Sequence, residues 1–205
     1  MDSIIFDLDG TLWDSTESIA KSWDKAVREQ TPLNVTITKD TMTPLLGQIL
    51  PDIVRAIFPE ESEESREHLL KICCQQEHED LLKKCAPLYE GLEDTLAKLS
   101  DKYQLFIVSN CEAGYIEVFL ETSGLGDYFS GHLCPGDTGH AKAHNIRELI
   151  QRYHLRSPVY VGDTQGDCDA TKEAGIPFVF AAYGLGFAEN PDYTIYKLPE
   201  LLDLF

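Results

Sequence analysis

The chain has 205 residues, 43% of them hydrophobic, so it is long and apolar enough to bury a substantial core. Its formal net charge of -18 argues against a surface for nucleic acid or for anionic membranes, because both would repel so acidic a protein. No apolar stretch approaches the roughly 20 residues that cross a bilayer, and no signal-like segment opens the chain, so we expect a cytoplasmic protein.

The first predicted element is a buried strand, after which the pattern changes. An apolar run over residues 3–6 ends at Asp7, which is typical of a buried parallel strand. Residues 15–85 then carry helical patterns and no convincing strand, and the acidic run after Pro59 favours the solvated start of a helix. We therefore expect residues 15–85 to form an inserted helical cap domain.

Strands and helices alternate after residue 85. Further apolar runs predict strands at residues 105–108, 159–161 and 178–182. Helical patterns cover residues 92–99, 113–122, 143–153 and 169–174. This alternation predicts an α/β fold, in which residues 1–14 and 86–205 form a doubly wound, Rossmann-like parallel sheet with flanking helices.

Polar side chains follow three of the predicted strands, at the point where each strand ends. These residues are Asp7 and Asp9, Ser109 and Asn110, and Asp163 and Asp167. Ligands of an open α/β sheet bind outside the carboxyl ends of its strands, so we expect these side chains to converge. The sequence therefore predicts a site that brings four carboxyl groups together.

Such a cluster needs a positive charge, because two unit charges about 4 Å apart repel by about 4 kcal/mol at an effective dielectric constant of about 20. Oxygen ligands suit Mg²⁺, which retains waters and readily bridges to a substrate phosphate. Lys142 lies in a loop before a predicted helix and could supply a further positive charge. The pattern favours a magnesium site that could bridge to a substrate phosphate.

Four segments resemble the motifs of the haloacid dehalogenase superfamily, in that family's order. Residues 4–12, Ile-Ile-Phe-Asp-Leu-Asp-Gly-Thr-Leu, resemble the first motif, and Val-Ser-Asn at 108–110 resembles the second. Lys142 resembles the third, and Val-Gly-Asp-Thr-Gln-Gly-Asp at 161–167 the fourth. The resemblance extends over nearly the whole chain and is to members with a helical cap, such as phosphoglycolate phosphatases and β-phosphoglucomutases.

The resemblance implies a Mg²⁺-dependent phosphohydrolase. Asp7 would attack phosphorus and form an aspartyl-phosphate, and Asp9 would act as general acid and base. Mg²⁺ would be held by the Asp7 carboxylate, the Asp9 carbonyl and Asp163, with Asp167 orienting its waters or binding it weakly. The implied phosphate ligands are Ser109, Asn110 and Lys142.

The resemblance also implies that the cap selects the substrate. Candidate residues there are Gly47, Gln48 and Arg55, with Lys39 and Thr41 nearby. Gly47 would break a helix near the pocket mouth, and Arg55 or Lys39 could pair with a second anionic group on the substrate. A cap of this size favours a small soluble metabolite as substrate, and no obligate protein partner is evident.

Several alternatives stay open. Ser109 and Asn110 could instead cap a helix, and Asp169 competes with Asp167 for the second acidic role. Lys142 could be a surface lysine, because the family often has Lys-Pro where this chain has Lys-Ala. The leading function is hydrolysis of a small organic phosphate monoester, such as a sugar phosphate or a phosphoglycolate-like acid. A phosphosugar mutase and a non-catalytic metabolite-binding protein are the alternatives.

Overall fold

The computed structural model describes residues 1–205, whose centre is a single sheet of six parallel strands. The strands are β1 (Ser3–Phe6), β2 (Gln104–Val108), β3 (Phe129–Leu133), β4 (Pro158–Gly162), β5 (Phe178–Ala181) and β6 (Tyr193–Ile195). Their order across the sheet is β3-β2-β1-β4-β5-β6. The prediction of a doubly wound parallel sheet is confirmed, and its strand order reverses direction between β1 and β4.

Ten α-helices accompany the sheet. They are α1 (Thr16–Gln30), α2 (Lys39–Met42), α3 (Leu50–Ile57), α4 (Glu63–Lys83), α5 (Leu92–Ser100), α6 (Tyr115–Ser123), α7 (Pro135–Thr138), α8 (Lys142–Arg152), α9 (Gln165–Ala174) and α10 (Leu201–Leu204). Short 3-10 helices lie at Gly126–Tyr128 and Leu198–Glu200. None of the helices combines the length and apolar character needed to span a membrane.

The central strand β1 is buried on both faces, because helices cover the sheet on either side. Ile4 and Phe6 belong to one hydrophobic cluster and Ile5 to the other, which follows from the alternation of side chains along a strand. The larger cluster holds 41 buried residues and continues from the sheet into α1 and α4. The core beneath the sheet and the core of the helices after β1 are therefore continuous.

Helices α1–α4 occupy the chain between β1 and α5 without any strand, and we call residues 15–85 the helical insert. Helix α1 turns Ile19, Trp23 and Val27 inward. The longest helix, α4, begins after Ser62, whose side chain accepts a hydrogen bond from the Ser65 backbone N–H. Acidic residues fill its first turn, as the helix dipole favours.

Two strands, β3 and β6, are absent from the prediction. Both lie at the edges of the sheet and carry partly exposed, polar or small residues. An edge strand has one free side and needs no continuous apolar run. The pattern that identifies buried parallel strands therefore passes over both of them.

The sheet core provides a first test of the packing. Phe106 of β2 is 0% exposed, whereas Phe187 is 66% exposed. We expect Phe106→Ala to lower the free energy of unfolding by about 3–5 kcal/mol through the cavity it leaves. The matched change Phe187→Ala should alter it by less than about 0.5 kcal/mol. Urea unfolding followed by circular dichroism measures both, and equal losses would contradict this packing.

Candidate functional site

The polar residues that follow β1, β2 and β4 converge at one edge of the sheet. Asp7, Asp163 and Asp167 are each 1% exposed, and one carboxylate oxygen from each lies within 4.8 Å of the others. Ser109 is also buried, at the end of β2. Three buried carboxyl groups at this spacing form a set of hard oxygen ligands that could hold a divalent cation.

Lys142 lies among these carboxyl groups and is not a surface residue. It is 4% exposed, and its Nζ donates to Asp7 Oδ1 at 2.8 Å and to Asp167 Oδ1 at 2.6 Å. Burial lowers the pKa of Lys142, but Asp167 and Asp7 outweigh burial and raise that pKa well above its ordinary value. The side chain is therefore a buried ammonium group that bridges two carboxylates.

Asp167, and not Asp169, faces the site. The second oxygen of Asp167 accepts hydrogen bonds from the backbone N–H of Thr164 at 3.0 Å and from its hydroxyl at 2.6 Å. Together these residues form a capping box at the start of α9, which fixes the Asp167 side chain. Asp169 is exposed and accepts a hydrogen bond from Gln165.

Of the two carboxylate oxygens of Asp163, one accepts hydrogen bonds from the backbone and the other has no partner. Its Oδ2 accepts from the backbone N–H groups of Leu185 at 2.7 Å and Gly186 at 3.2 Å. Its Oδ1 is buried and has no hydrogen bond. Burial raises the pKa of this carboxyl group well above its ordinary value, and Asp167 and Asp7 add to the shift. An unpaired buried carboxylate oxygen beside other carboxylates fits a bound cation.

Two glycines let the backbone close onto Asp163. Gly10 has a φ of +80°, and a Cβ atom there would lie 2.2 Å from Asp163 Oδ2. On Gly184 a Cβ atom would lie 2.3 Å from Asp163 Cβ. Only glycine fits at either position, so the turn after β1 is shaped by the carboxylate against which it packs.

Asp7 and Asp9 differ in their environments. Burial raises the pKa of the Asp7 carboxyl group to about 7, while Lys142 acts in the opposite direction. Asp9 is partly exposed, and its Oδ1 accepts from Trp13 Nε1 at 2.8 Å and from the Tyr115 hydroxyl at 2.8 Å. The Ser15 hydroxyl donates to the same oxygen. Burial raises the pKa of Asp9 as well, although these three donors lower it.

The donors to Asp9 are functional neighbours that the sequence analysis missed. Trp13 and Ser15 stand just after the first motif, but nothing in their spacing distinguishes them from ordinary core and turn residues. Tyr115 lies 106 positions from Asp9 and reaches it from the start of α6. Only the docking of α6 reveals this contact.

Asp7, Asp9, Ser109 and Asn110 open into a cavity that the helical insert covers. Its volume is about 30 Å³, which has room for very few water molecules. The insert lines it with Ile19, Trp23, Met42, Leu46, Gly47, Gln48, Leu50, Ile53, Cys74 and Glu77. The cavity therefore lies between the insert and the carboxyl ends of the strands.

Asn110 joins the two sides of this cavity. Its Nδ2 donates to the Gly47 carbonyl oxygen at 2.9 Å, while its Oδ1 is buried without a partner. Helix α6 begins later, after Gly114, so Ser109 and Asn110 do not cap it. Gly47 adopts a φ of +86°, and a Cβ atom there would lie 2.9 Å from Thr164 Cγ2, so the Gly47 end of this contact is closely packed.

The proposed cap residues do not all reach the cavity. Gly47 and Gln48 line it, whereas Lys39, Thr41 and Arg55 do not. Arg55 is paired with Asp52 at 3.0 Å and Glu63 at 3.6 Å on the exposed side of α3. Lys39 is paired with Asp14 at 2.9 Å.

Comparison with known sequences identifies relatives along the whole chain. Residues 4–181 match the family described as haloacid dehalogenase-like hydrolase. The phosphoglycolate phosphatase of Photobacterium profundum is 27% identical, over 98% of this chain and 94% of its own. The pyrophosphatase PpaX of Bacillus velezensis is also 27% identical, over 98% of this chain and 95% of its own.

Comparison of structures identifies the same fold. A predicted phosphoglycolate phosphatase from Haemophilus somnus superposes with a TM-score of 0.87 at 22% identity, covering 100% of this chain and 97% of that one. A β-phosphoglucomutase from Clostridium difficile gives 0.79 at 17% identity, covering 98% and 93%. At these identities the two structures establish the fold alone.

Gly10 gives a test of how the site is built. Gly10→Ala and Gly124→Ala both place a side chain at positive φ, which costs about 1–2 kcal/mol. Nothing lies within 4 Å of a Cβ atom on Gly124, whereas one on Gly10 would collide with Asp163. We expect Gly10→Ala to lower the free energy of unfolding by about 1–3 kcal/mol more than Gly124→Ala does. Equal losses in urea unfolding would refute the close packing of the β1 turn against Asp163.

Proposed function

The chain belongs to the haloacid dehalogenase-like hydrolase family, and from that premise we propose that it is a Mg²⁺-dependent phosphatase of small organic phosphate monoesters. The observation that carries the proposal is the buried Asp7 carboxylate, which Lys142 holds by one oxygen at the mouth of a covered cavity. The names of the relatives, a phosphoglycolate phosphatase and a pyrophosphatase, support phosphoryl transfer.

Asp7 is the proposed nucleophile. Its Oδ1 is bound by Lys142, which leaves Oδ2 to attack phosphorus. A bond forms between Asp7 and phosphorus as the bond from phosphorus to the ester oxygen breaks, which gives an aspartyl-phosphate. Water then attacks the phosphorus of this intermediate, releases inorganic phosphate and restores the Asp7 carboxylate.

Asp9 is the proposed general acid and base. Trp13, Ser15 and Tyr115 hold its Oδ1, so Oδ2 has a fixed direction and no protein partner. In the first step Asp9 donates a proton to the leaving ester oxygen, and in the second it takes a proton from the attacking water. Anchoring one oxygen lets the other transfer the proton without rotation of the side chain.

Lys142, Ser109 and Asn110 are the proposed donors to the phosphoryl oxygens. Lys142 brings a full positive charge into a site from which water is largely excluded, where charge stabilisation is strongest. Asn110 gives one amide hydrogen to Gly47 and retains the other. These groups are in place before the substrate binds, which limits reorganisation during the reaction.

Mg²⁺ is the proposed cofactor. Asp7, Asp163 and the carbonyl group of Asp9 would hold it, with Asp167 orienting its waters. The unpartnered Asp163 Oδ1 supports this ligand set. When bound, the ion would neutralise negative charge on the phosphoryl oxygens.

The helical insert, residues 15–85, is the proposed cap domain, and residues 1–14 and 86–205 are the proposed catalytic core. The cavity between them, about 30 Å³, is too small for a phosphate ester. Substrate binding would therefore require the insert to move away from the strand ends. Closure afterwards would exclude water from the reacting groups.

The first test is turnover. With Mg²⁺, we expect release of phosphate from an aryl phosphate and from a panel of small phosphate esters, and no release in EDTA. Asp7→Asn should reduce the rate by about 1,000-fold or more, because an amide cannot act as the nucleophile. Asp169→Asn, the same change at an exposed carboxylate after the same motif, should leave the rate unchanged.

Other outcomes of this assay would contradict the proposal. Conversion of a phosphosugar into its isomer without release of free phosphate would identify a mutase that uses the same Asp7 intermediate. Tight binding of a phosphorylated metabolite, with neither hydrolysis nor isomerisation of any compound, would identify a binding protein.

The second test is metal binding without turnover. We expect Mg²⁺ to raise the Tm of the wild-type protein, because a ligand at about 100 times its Kd stabilises the folded state by about 2.7 kcal/mol. Asp163→Asn should abolish this rise and leave the Tm in EDTA at or above that of wild type, since it removes one of the clustered negative charges. Asp169→Asn is the matched control and should keep the rise. A full Mg²⁺-induced rise in Asp163→Asn would exclude Asp163 as a ligand.

A further inference from the structure

The part of the cavity that the substrate's alcohol portion would occupy is apolar and acidic. Glu77 and Glu112 line it, and no lysine, arginine or histidine does. Its remaining walls from the insert are largely aliphatic, with Met42, Leu46 and Ile53 among them. This lining offers nothing that would neutralise a second negative charge on a substrate.

Glu77 is the distinctive residue of this lining. It lies on α4, is 6% exposed and accepts a hydrogen bond from Trp23 Nε1 at 2.5 Å through Oε2. No protein group donates to its Oε1, and no basic residue pairs with it. Burial raises the pKa of the Glu77 carboxyl group to about 8. One oxygen is thus anchored by the protein, and the other remains available to a ligand.

The basic residues of the insert that might have balanced an anionic substrate are engaged elsewhere. Lys39 pairs with Asp14, and Arg55 pairs with Asp52 and Glu63. Lys142 is buried beneath the phosphoryl position, between Asp7 and Asp167. A carboxylate or a second phosphate in the cavity would therefore meet Glu77 and Glu112 without a compensating cation, in surroundings where screening is weak.

We propose that the substrate is the phosphate monoester of a small alcohol that has no second anionic group and that donates a hydrogen bond, from a hydroxyl or an ammonium group, to Glu77 Oε1. This inference rests on the proposed phosphatase function. Where its carboxyl group is ionised, above the pKa of about 8, Glu77 then determines specificity by rejecting anionic alcohols and by binding donors. Phosphoglycolate and pyrophosphate both carry additional negative charge and are poor substrates of this chain once Glu77 is ionised.

The experiment compares phosphate esters that differ only in the terminal group. Four phosphate esters share a two-carbon chain that ends in a methyl, hydroxyl, ammonium or carboxylate group, the last being phosphoglycolate. A three-carbon series repeats these groups. At about pH 9, above the pKa of Glu77, we expect kcat/KM for the hydroxyl or ammonium ester to exceed that for phosphoglycolate by about tenfold or more, because a like charge at a site this buried is strongly disfavoured. Comparing the hydroxyl and ammonium arms distinguishes the two donors.

The variants assign this discrimination to one carboxyl group. At the same pH, Glu77→Gln removes the charge but keeps an acceptor, and we expect it to raise kcat/KM for phosphoglycolate and leave that for the methyl ester unchanged. If the ammonium ester is preferred, its advantage over the hydroxyl ester should fall about tenfold. Glu79→Gln, the same change at an exposed position of α4, should leave all ratios unaltered.

Three results would contradict the proposed specificity of Glu77. Phosphoglycolate as the best ester, with Asp7-dependent hydrolysis of the others, would overturn this inference and leave the proposed phosphatase function standing. If Glu77→Gln changes kcat/KM by the same factor for all four esters, Glu77 has a structural role only. No hydrolysis of any ester, aryl phosphate included, would overturn both.

Discussion

The rest of the structure depends on one constraint, which is that three buried carboxyl groups share a small space with a single buried ammonium group. Lys142 pairs with Asp7 and Asp167, and Asp163 has an oxygen that no protein group satisfies. Such an arrangement is unfavourable for folding unless the surrounding backbone fixes every member. The sheet provides that rigidity, because the chain segments that carry the three buried acids follow the adjacent central strands β1 and β4.

The two sides of the cavity are specialised for different tasks under the proposed function. The strand ends carry charge and present it at fixed positions, whereas the helical insert supplies mainly apolar surface and one buried carboxyl group. Asn110 and Gly47 connect these sides through one hydrogen bond and close packing against Thr164. A displacement of the insert would break this contact beside the residues proposed to bind the phosphoryl group.

The sequence was most informative where geometry is set by the sheet. Residues after parallel strands must meet at one edge, so Asp7, Ser109 and Asp163 could be placed together before the structure was known. It was less informative about contacts that depend on how helices dock. The order of apolar and polar residues along α4 does not reveal that Glu77 faces Trp23 and the cavity. Arg55 was a candidate to pair with the substrate, but Asp52, one helical turn away, and Glu63 on α4 bind it instead.

The position of β1 in the chain has a consequence for synthesis. Its residue Ser3 is in register with Gln104 on one side and with Pro158 on the other. The central strand thus leaves the ribosome well before both of the strands that pair with it. Until then Ser3–Phe6 can be sheltered only by the helices that follow it, with which it shares the larger hydrophobic cluster. Pairing over such sequence distances is slow and leaves apolar edges exposed to aggregation. Early collapse of the helical insert around this strand would protect the nascent chain from aggregation. In the folded protein the same insert covers the cavity at the strand ends.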